Sequence, residues 1–243
     1  MLQTIFEIKS NEKIAKDVYK MVLAGDTSDL KKPGQFVNIK LDGFFLRRPI
    51  SVCDYNENEL TLIYKVVGAG TEVMSNMGEG EKLDILTGLG NGFDTSKSGE
   101  NPVVIGGGVG VPPMFNLARK LIEEGKKVTA VLGFNKEEEI FYKEEFEKLG
   151  AEVKITTVDG SVGTKGFVTD AVKEFDFSYT YCCGPEPMLK AVYNASDKDG
   201  QFSFEERMGC GFGACMGCSC KTKYGNKRIC KEGPVLCKEE IIW

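Results

Sequence analysis

The feature that most constrains the fold is a change of pattern near residue 100. Before it, short runs of alternating apolar and polar residues are separated by turn residues: "TIFEIKSNEKIA", "VYKMVLAG", "GQFVNIKL", "RRPISVCDY", "LTLIYKVVG" and "EKLDILTGLG". A period of two gives each run one apolar face, and runs of this length and spacing predict an antiparallel barrel or sandwich. From Asn101 onward strands alternate with helical patterns. "PVVIGG" reads as a buried strand, and Met114, Leu117, Ala118, Leu121 and Ile122 fall on one face of a helix. Further strands are expected at "KVTAVLGF", "AEVKITTVDG" and "SYTYCCG", and helices at "EEIFYKEEFEKLG", "FVTDAVKEF" and "EPMLKAVYNASDKDG". Such alternation predicts a parallel sheet with helices on its faces. "QFSFEERMG" after Gly200 reads as one more strand. The expected organisation is a β-barrel over 1–98, an α/β domain over 99–200 and a small C-terminal segment over 201–243.

A chain of 243 residues accommodates two domains and such an appendage. The N-terminus has no apolar stretch behind a basic start, and no run approaches the ~18 apolar residues of a membrane span, which predicts a soluble, cytoplasmic protein. A net charge of −5 argues against nucleic acid as the partner. The chain has no histidine, so it lacks the usual general base and the commonest nitrogen ligand for metals. It does have nine cysteines. In a reducing compartment, clustered cysteines point to metal binding or catalysis rather than to disulfides.

Two turns in the α/β half carry chemistry. "VVIGGGVGVPPMFNLA" places glycines between the first strand and first helix, where unpaired backbone N–H groups and the absence of side chains let a pyrophosphate approach. Proline in its sixth place separates it from the dinucleotide fingerprint G-x-G-x-x-G. "CCGPEPM" follows the last strand of the same sheet, and turns at the carboxyl ends of parallel strands share one cleft. Either turn alone also occurs without a ligand. Together they resemble the ferredoxin-NADP reductase superfamily. By that resemblance Gly108, Gly110 and Pro113 line the dinucleotide phosphates, and Cys183, followed by Gly184, lies near the nicotinamide as the catalytic-site cysteine.

The barrel half carries the superfamily's other signature. "RRPISV" resembles its flavin strand: Arg48 would pair with the FAD pyrophosphate, Pro49 and Ile50 would line the site, and Ser51 would hydrogen-bond the isoalloxazine. "IYKVVGAGT" resembles the second flavin strand and phosphate turn, with Ile63, Tyr64, Lys65, Gly70 and Thr71. An arginine fork matches phosphate oxygens, and Gly70-Thr71 offers N–H and hydroxyl donors. Glu137, Glu138 and Glu139, after the second strand of the sheet, stand where a reader of a 2′-phosphate would need arginine, which favours NAD over NADP.

Cys210, Cys215 and Cys218 follow C-x4-C-x2-C, the start of the plant-type [2Fe–2S] spacing. Spacing alone leaves Cys220, Cys230 and Cys237 as candidates for a fourth ligand. It also leaves a four-thiolate zinc site as a rival, although the second knuckle usual for zinc is missing. The order of flavin barrel, NAD domain and C-terminal C-x4-C-x2-C-x11-C resembles the electron-transfer subunits of class 1B dihydroorotate dehydrogenases over nearly the full length. That resemblance implies Cys210, Cys215, Cys218 and Cys230 as ligands, with Cys220 and Cys237 spare. It further implies a role in pyrimidine biosynthesis and an FMN-containing catalytic partner, two of each chain forming a heterotetramer. Electrons from dihydroorotate would pass through [2Fe–2S] and FAD to NAD+. A flavin subunit of a bifurcating transhydrogenase or sulfide dehydrogenase, and a zinc-bearing interaction module, are the alternatives.

Overall fold

A computed structural model describes residues 1–243. All six alternating runs become strands: β1 (Leu2–Ala15), β2 (Val18–Ala24), β3 (Phe36–Ile39), β4 (Arg48–Tyr55), β5 (Glu59–Lys65) and β6 (Lys82–Leu89). They close into one antiparallel barrel in the order β1-β2-β5-β4-β3-β6. The inward face of the alternation supplies the core, with Phe6, Ile8, Met21, Leu23, Ile39, Leu60 and Leu62 fully buried. Each such side chain contributes roughly 1.5–3 kcal/mol by leaving water. A short helix that the pattern did not predict, α1 (Ala69–Ser75), follows β5. Asn11 of β1 holds its C-terminal end by donating from Nδ2 to the carbonyls of Met74 (2.8 Å) and Met77 (2.9 Å).

The second half is a sheet with strand order β10-β9-β8-β7-β11-β12-β15, parallel except for its last pair. Its strands are β7 (Val103–Gly107), β8 (Thr129–Phe134), β9 (Glu152–Thr157), β10 (Thr164–Lys165), β11 (Thr180–Cys183), β12 (Gly200–Ser203) and β15 (Val235–Cys237). Helix α2 (Val111–Glu123) buries the predicted stripe of Met114, Leu117, Ala118 and Leu121, and α5 (Glu186–Ala195) follows β11. Two expected helices are shorter than their patterns. α3 covers only Lys143–Leu149, because Phe141 and Tyr142 are buried in the core instead and Tyr142 has φ 64, which a helix cannot include. α4 covers only Val168–Val172.

Contacts between the halves are specific. Asp54 of β4 accepts from Asn116 (2.7 Å) and from Arg119 Nε (3.1 Å) and Nη2 (2.6 Å) of α2. Beside it lies the buried Cys53, whose thiol burial pushes up.

The chain beyond residue 200 enters the sheet as β12, leaves it, and returns as β15, antiparallel to β12. The excursion contains the cysteine loop and a hairpin of β13 (Ser219–Thr222) and β14 (Gly225–Arg228). The pattern of "QFSFEERMG" announced β12 but not β15. No helix is long and apolar enough to cross a membrane.

Candidate flavin and nucleotide cleft and cysteine loop

One cleft of about 960 Å³ runs between the barrel and the parallel sheet. Its barrel wall includes Arg48, Pro49, Ile50, Ser51, Ile63, Tyr64, Lys65 and Thr71; its opposite wall includes Gly108, Gly110, Cys183 and Gly184. Gly70 and Pro113 do not line it. Gly70 instead makes room: a Cβ there would collide with the Arg48 side chain. Pro113 is buried in the first turn of α2.

The two neighbouring arginines separate in role. Arg47 pairs with Asp84 at 2.9 Å and donates to the carbonyls of Asn38 and Asp84, so it braces the barrel. Arg48 turns to the cleft, where its guanidinium lies 4.5 Å from the Phe44 ring centroid and donates to Leu46 O at 2.5 Å. Stacked, backed by Gly70 and bonded at one nitrogen, it holds a pre-set orientation with further donors for phosphate oxygens. Thr71 uses its hydroxyl differently from the sequence expectation. Its Oγ1 accepts from Val67 N (3.0 Å) and Gly68 N (3.3 Å) and donates to Gly68 O (3.0 Å), so it shapes the phosphate turn. Tyr64 is 2% exposed, its OH donates to Asn11 Oδ1 at 2.9 Å, and burial pushes its phenol up to about 12. Asn11 thereby joins the second flavin strand to α1; no motif pointed to it.

On the other wall, the two glycine turns touch. A Cβ on Gly110 would run into the carbonyl of Cys183 and lie 2.7 Å from Gly184 Cα. Gly110 thus serves turn-to-turn packing, whereas a Cβ on Gly108 (φ 52) would meet nothing within 4 Å. Burial pushes the Cys183 thiol up to about 12, against a hydrogen bond from Ser203 that lowers it. A neutral thiol packed in the cleft is not a nucleophile. Ser203 and Glu205, which also line the cleft, went unnoticed in the sequence, although their spacing of two in "SFE" places them on one side of an extended chain. Of the three glutamates, Glu138 pairs away with Lys16 (2.8 Å) and Lys136 (2.7 Å). Glu139 lines the cleft and accepts from Asn135 N (3.2 Å) and Nδ2 (2.8 Å).

Two backbone contacts join the cysteines of the loop: Cys215 N–H donates to Cys210 Sγ, and Cys230 N–H to Cys218 Sγ. Backbone N–H groups point at the sulfurs: Ala214 N lies 3.2 Å and Cys215 N 3.5 Å from Cys210 Sγ, and Cys230 N lies 3.4 Å from Cys218 Sγ. Burial opposes ionisation of Cys210, but these donors, with Phe212 N, outweigh it and lower the thiol to about 6. Cys230, 2% exposed and beside Cys218, is pushed up to about 12 by burial. No three thiols or carboxylates converge closely enough to hold a single ion. These contacts place Cys210 beside Cys215 and Cys218 beside Cys230, a two-and-two arrangement of the kind a [2Fe–2S] cluster would take. Cys220 lies on β13 facing a second cavity, and Cys237 on β15 accepts from Lys97 at 3.4 Å. Neither joins the pairs.

With this geometry in view, comparison with known proteins is decisive. The description "Iron-sulfur cluster binding domain of dihydroorotate dehydrogenase B" matches residues 205–242, and "Oxidoreductase NAD-binding domain" matches 104–194. The dihydroorotate dehydrogenase B (NAD(+)) electron transfer subunit of Fusobacterium nucleatum is 44% identical over 250 residues, covering 96% of each chain. That of Geobacillus sp. (strain WCH70) is also 44% identical, over 100% of this chain and 99% of its own. The chain belongs to this family of electron transfer subunits. As a member it is an oxidoreductase subunit with an iron–sulfur domain and an NAD-binding domain, and the family name implies a catalytic partner. Among solved structures, an NADH-dependent reduced ferredoxin-NADP oxidoreductase described for flavin-based electron bifurcation superposes with a TM-score of 0.90. It is 31% identical and covers 99% of this chain and 90% of its own. Phthalate dioxygenase reductase shares the fold alone, with a TM-score of 0.62 and 22% identity over 79% of this chain.

Proposed function

We propose that this chain is the NAD+-reducing half of a cytoplasmic dihydroorotate dehydrogenase, taking electrons from an FMN-bearing partner in a heterotetramer of two of each chain. The observation that carries the reading is that one cleft joins the flavin-type strands β4 and β5 to both glycine turns of the parallel sheet, while the paired cysteines sit in a loop fastened to the same barrel. Bound there, FAD supplies hydride exchange with the nicotinamide, and a [2Fe–2S] cluster supplies single-electron relay from the partner. Arg48 and the α1 turn would hold the FAD pyrophosphate, Ser51 would hydrogen-bond its ring with Tyr64 on the same wall, and the Gly108 turn would take the dinucleotide phosphates. Cys183 supports the nicotinamide as a neutral contact. Cys210, Cys215, Cys218 and Cys230 hold the cluster. The proposed working units are 1–98, 99–200 and 201–243.

The chain has no histidine and offers no positioned base for dihydroorotate, so that deprotonation belongs to the partner. The test is to purify the chain and then reconstitute it. Alone it should show flavin and iron–sulfur absorbance and oxidise NADH with an artificial dye, yet leave dihydroorotate untouched; with the partner it should make orotate and NADH. Dihydroorotate oxidation by the isolated chain would refute the assignment. The likeness to the bifurcating oxidoreductase favours a second reading, a subunit handling NAD(P)H beside ferredoxin. Identifying the co-purified chain separates the two.

A further inference from the structure

Asn38 is the exception in its strand. Phe36, Val37 and Ile39 are buried apolar residues, and Asn38 between them is 1% exposed. A buried amide is costly unless its groups are hydrogen-bonded. Here Oδ1 has no partner, and Nδ2 donates to the carbonyl oxygen of Cys210 at 3.2 Å. The barrel thus keeps a half-satisfied amide in its wall, and the bond that amide makes is to the backbone of the loop's first cysteine. Such an exception calls for an explanation. Gly211 completes the fit: its φ is +78, and a Cβ there would strike Nδ2 of Asn38. Across the β3–β4 ladder, Asn38 lies directly opposite Pro49, next to Arg48.

Asn91, just past β6, treats the other end of the cysteine segment in the same way. Its N–H donates to Gly233 O (2.7 Å), its Nδ2 to Glu232 O (3.0 Å) and Val235 O (2.7 Å), and its Oδ1 accepts from Val235 N (3.1 Å). Two asparagines of the barrel half therefore grip the segment, one at the first of the four cysteines and one just past the last.

We propose that Asn38 is a positioning residue for electron transfer: it fixes the Cys210 loop against the flavin strand and so sets the separation of cluster and FAD, with Asn91 as the second anchor. This rests on the reading of Cys210 as a cluster ligand. Transfer between two centres is sensitive to small displacements, so a loop with no strand of its own needs such an anchor.

The test uses the full chain carrying FAD and cluster. Asn38→Ala removes the amide and its donor; Asn38→Leu removes the amide at similar volume. Both should retain wild-type FAD, iron and NADH–dye rate. Amide exchange in residues 210–216 should quicken by up to about tenfold, and the cluster's EPR signal should appear more slowly after mixing with NADH. If Asn38→Leu fails to fold, Asn38→Ala decides. Unchanged exchange and unchanged EPR kinetics overturn the proposal, as does loss of FAD, which would make Asn38 a flavin-binding residue instead. A wild-type chain with no [2Fe–2S] signal would sink the cluster reading itself.

Discussion

Arg48 sits on β4 and Cys210 rests against β3, the next strand of the same barrel, yet the two are held by different means. β4 is hydrogen-bonded along both edges, to β3 and β5, and Arg48 is stacked on Phe44 and backed by Gly70. The Cys210 loop has no strand on either side. It depends on Asn38, on Arg228 donating to Gly213 O at 2.6 Å, and on N–H groups turned toward sulfur. Arg228 in turn pairs with Glu232, whose carboxyl its hydrogen bonds lower to about 2. The difference teaches that the cleft is shaped by hydrogen-bonded strands and the turns that leave them, whereas the order of the loop would be linked to the cluster proposed for it. Removing a ligand should therefore leave the cleft intact, and damaging the cleft should leave the loop intact.

The largest effect expected is from Cys230→Ser, which should abolish the visible and EPR signals of the cluster and bring coupled NAD+-dependent orotate production to background. The NADH–dye rate should persist, because a dye takes electrons at the flavin. Cys220→Ser and Cys237→Ser should keep the signals, and loss of iron in Cys237→Ser would show the fourth ligand to be misassigned. Chelation of the iron in wild type should reproduce the same split, and coupled turnover that survives it would break the comparison.

Next in size is Arg48→Ala. Losing charge-assisted contacts to phosphate of about 1.5–3 kcal/mol should weaken FAD roughly 10- to 150-fold, read by flavin fluorescence on dilution, with iron unchanged. Gly110→Ala should force the two glycine turns apart, an overpacking that costs about 1–3 kcal/mol. A raised KM for NADH with FAD and iron retained is the expected signature, and equal loss of FAD would place Gly110 in the flavin site. Smallest is Asp54→Ala, which removes a partly exposed link between the halves and should lower stability by about 1 kcal/mol in denaturant titrations, with both spectra intact.

Legibility differed between the same two regions. The barrel could be read because period-two alternation is a local signal, and all six runs became strands where expected. The stripe of α2 was equally plain, but α3 was overread: Phe141 and Tyr142 fit a helical pattern, and only the core they fill shows that the helix begins after them. In the site, the flavin strands and glycine turns were visible as motifs. The separate duties of Arg47 and Arg48 and the contact between Gly110 and Cys183 were not, since each depends on a neighbour distant in sequence; the inward use of the Thr71 hydroxyl is local, and the conformation of its turn decides it.

Residue order by itself determined the element types, the two kinds of sheet and the C-x4-C-x2-C run, because these rest on periodicity and spacing within a few residues. Tertiary structure decided that the N–H of Cys230 reaches Cys218 Sγ, and that β15 returns to the sheet beside β12. It also decided that Asn11, Asn38 and Asn91, three unremarkable asparagines in sequence, tie the flavin strands, α1 and the cysteine segment together. A hydrogen bond spanning 53, 172 or 144 positions of chain leaves no periodic trace; only closure of the barrel and its packing against the cysteine segment bring the ends within reach.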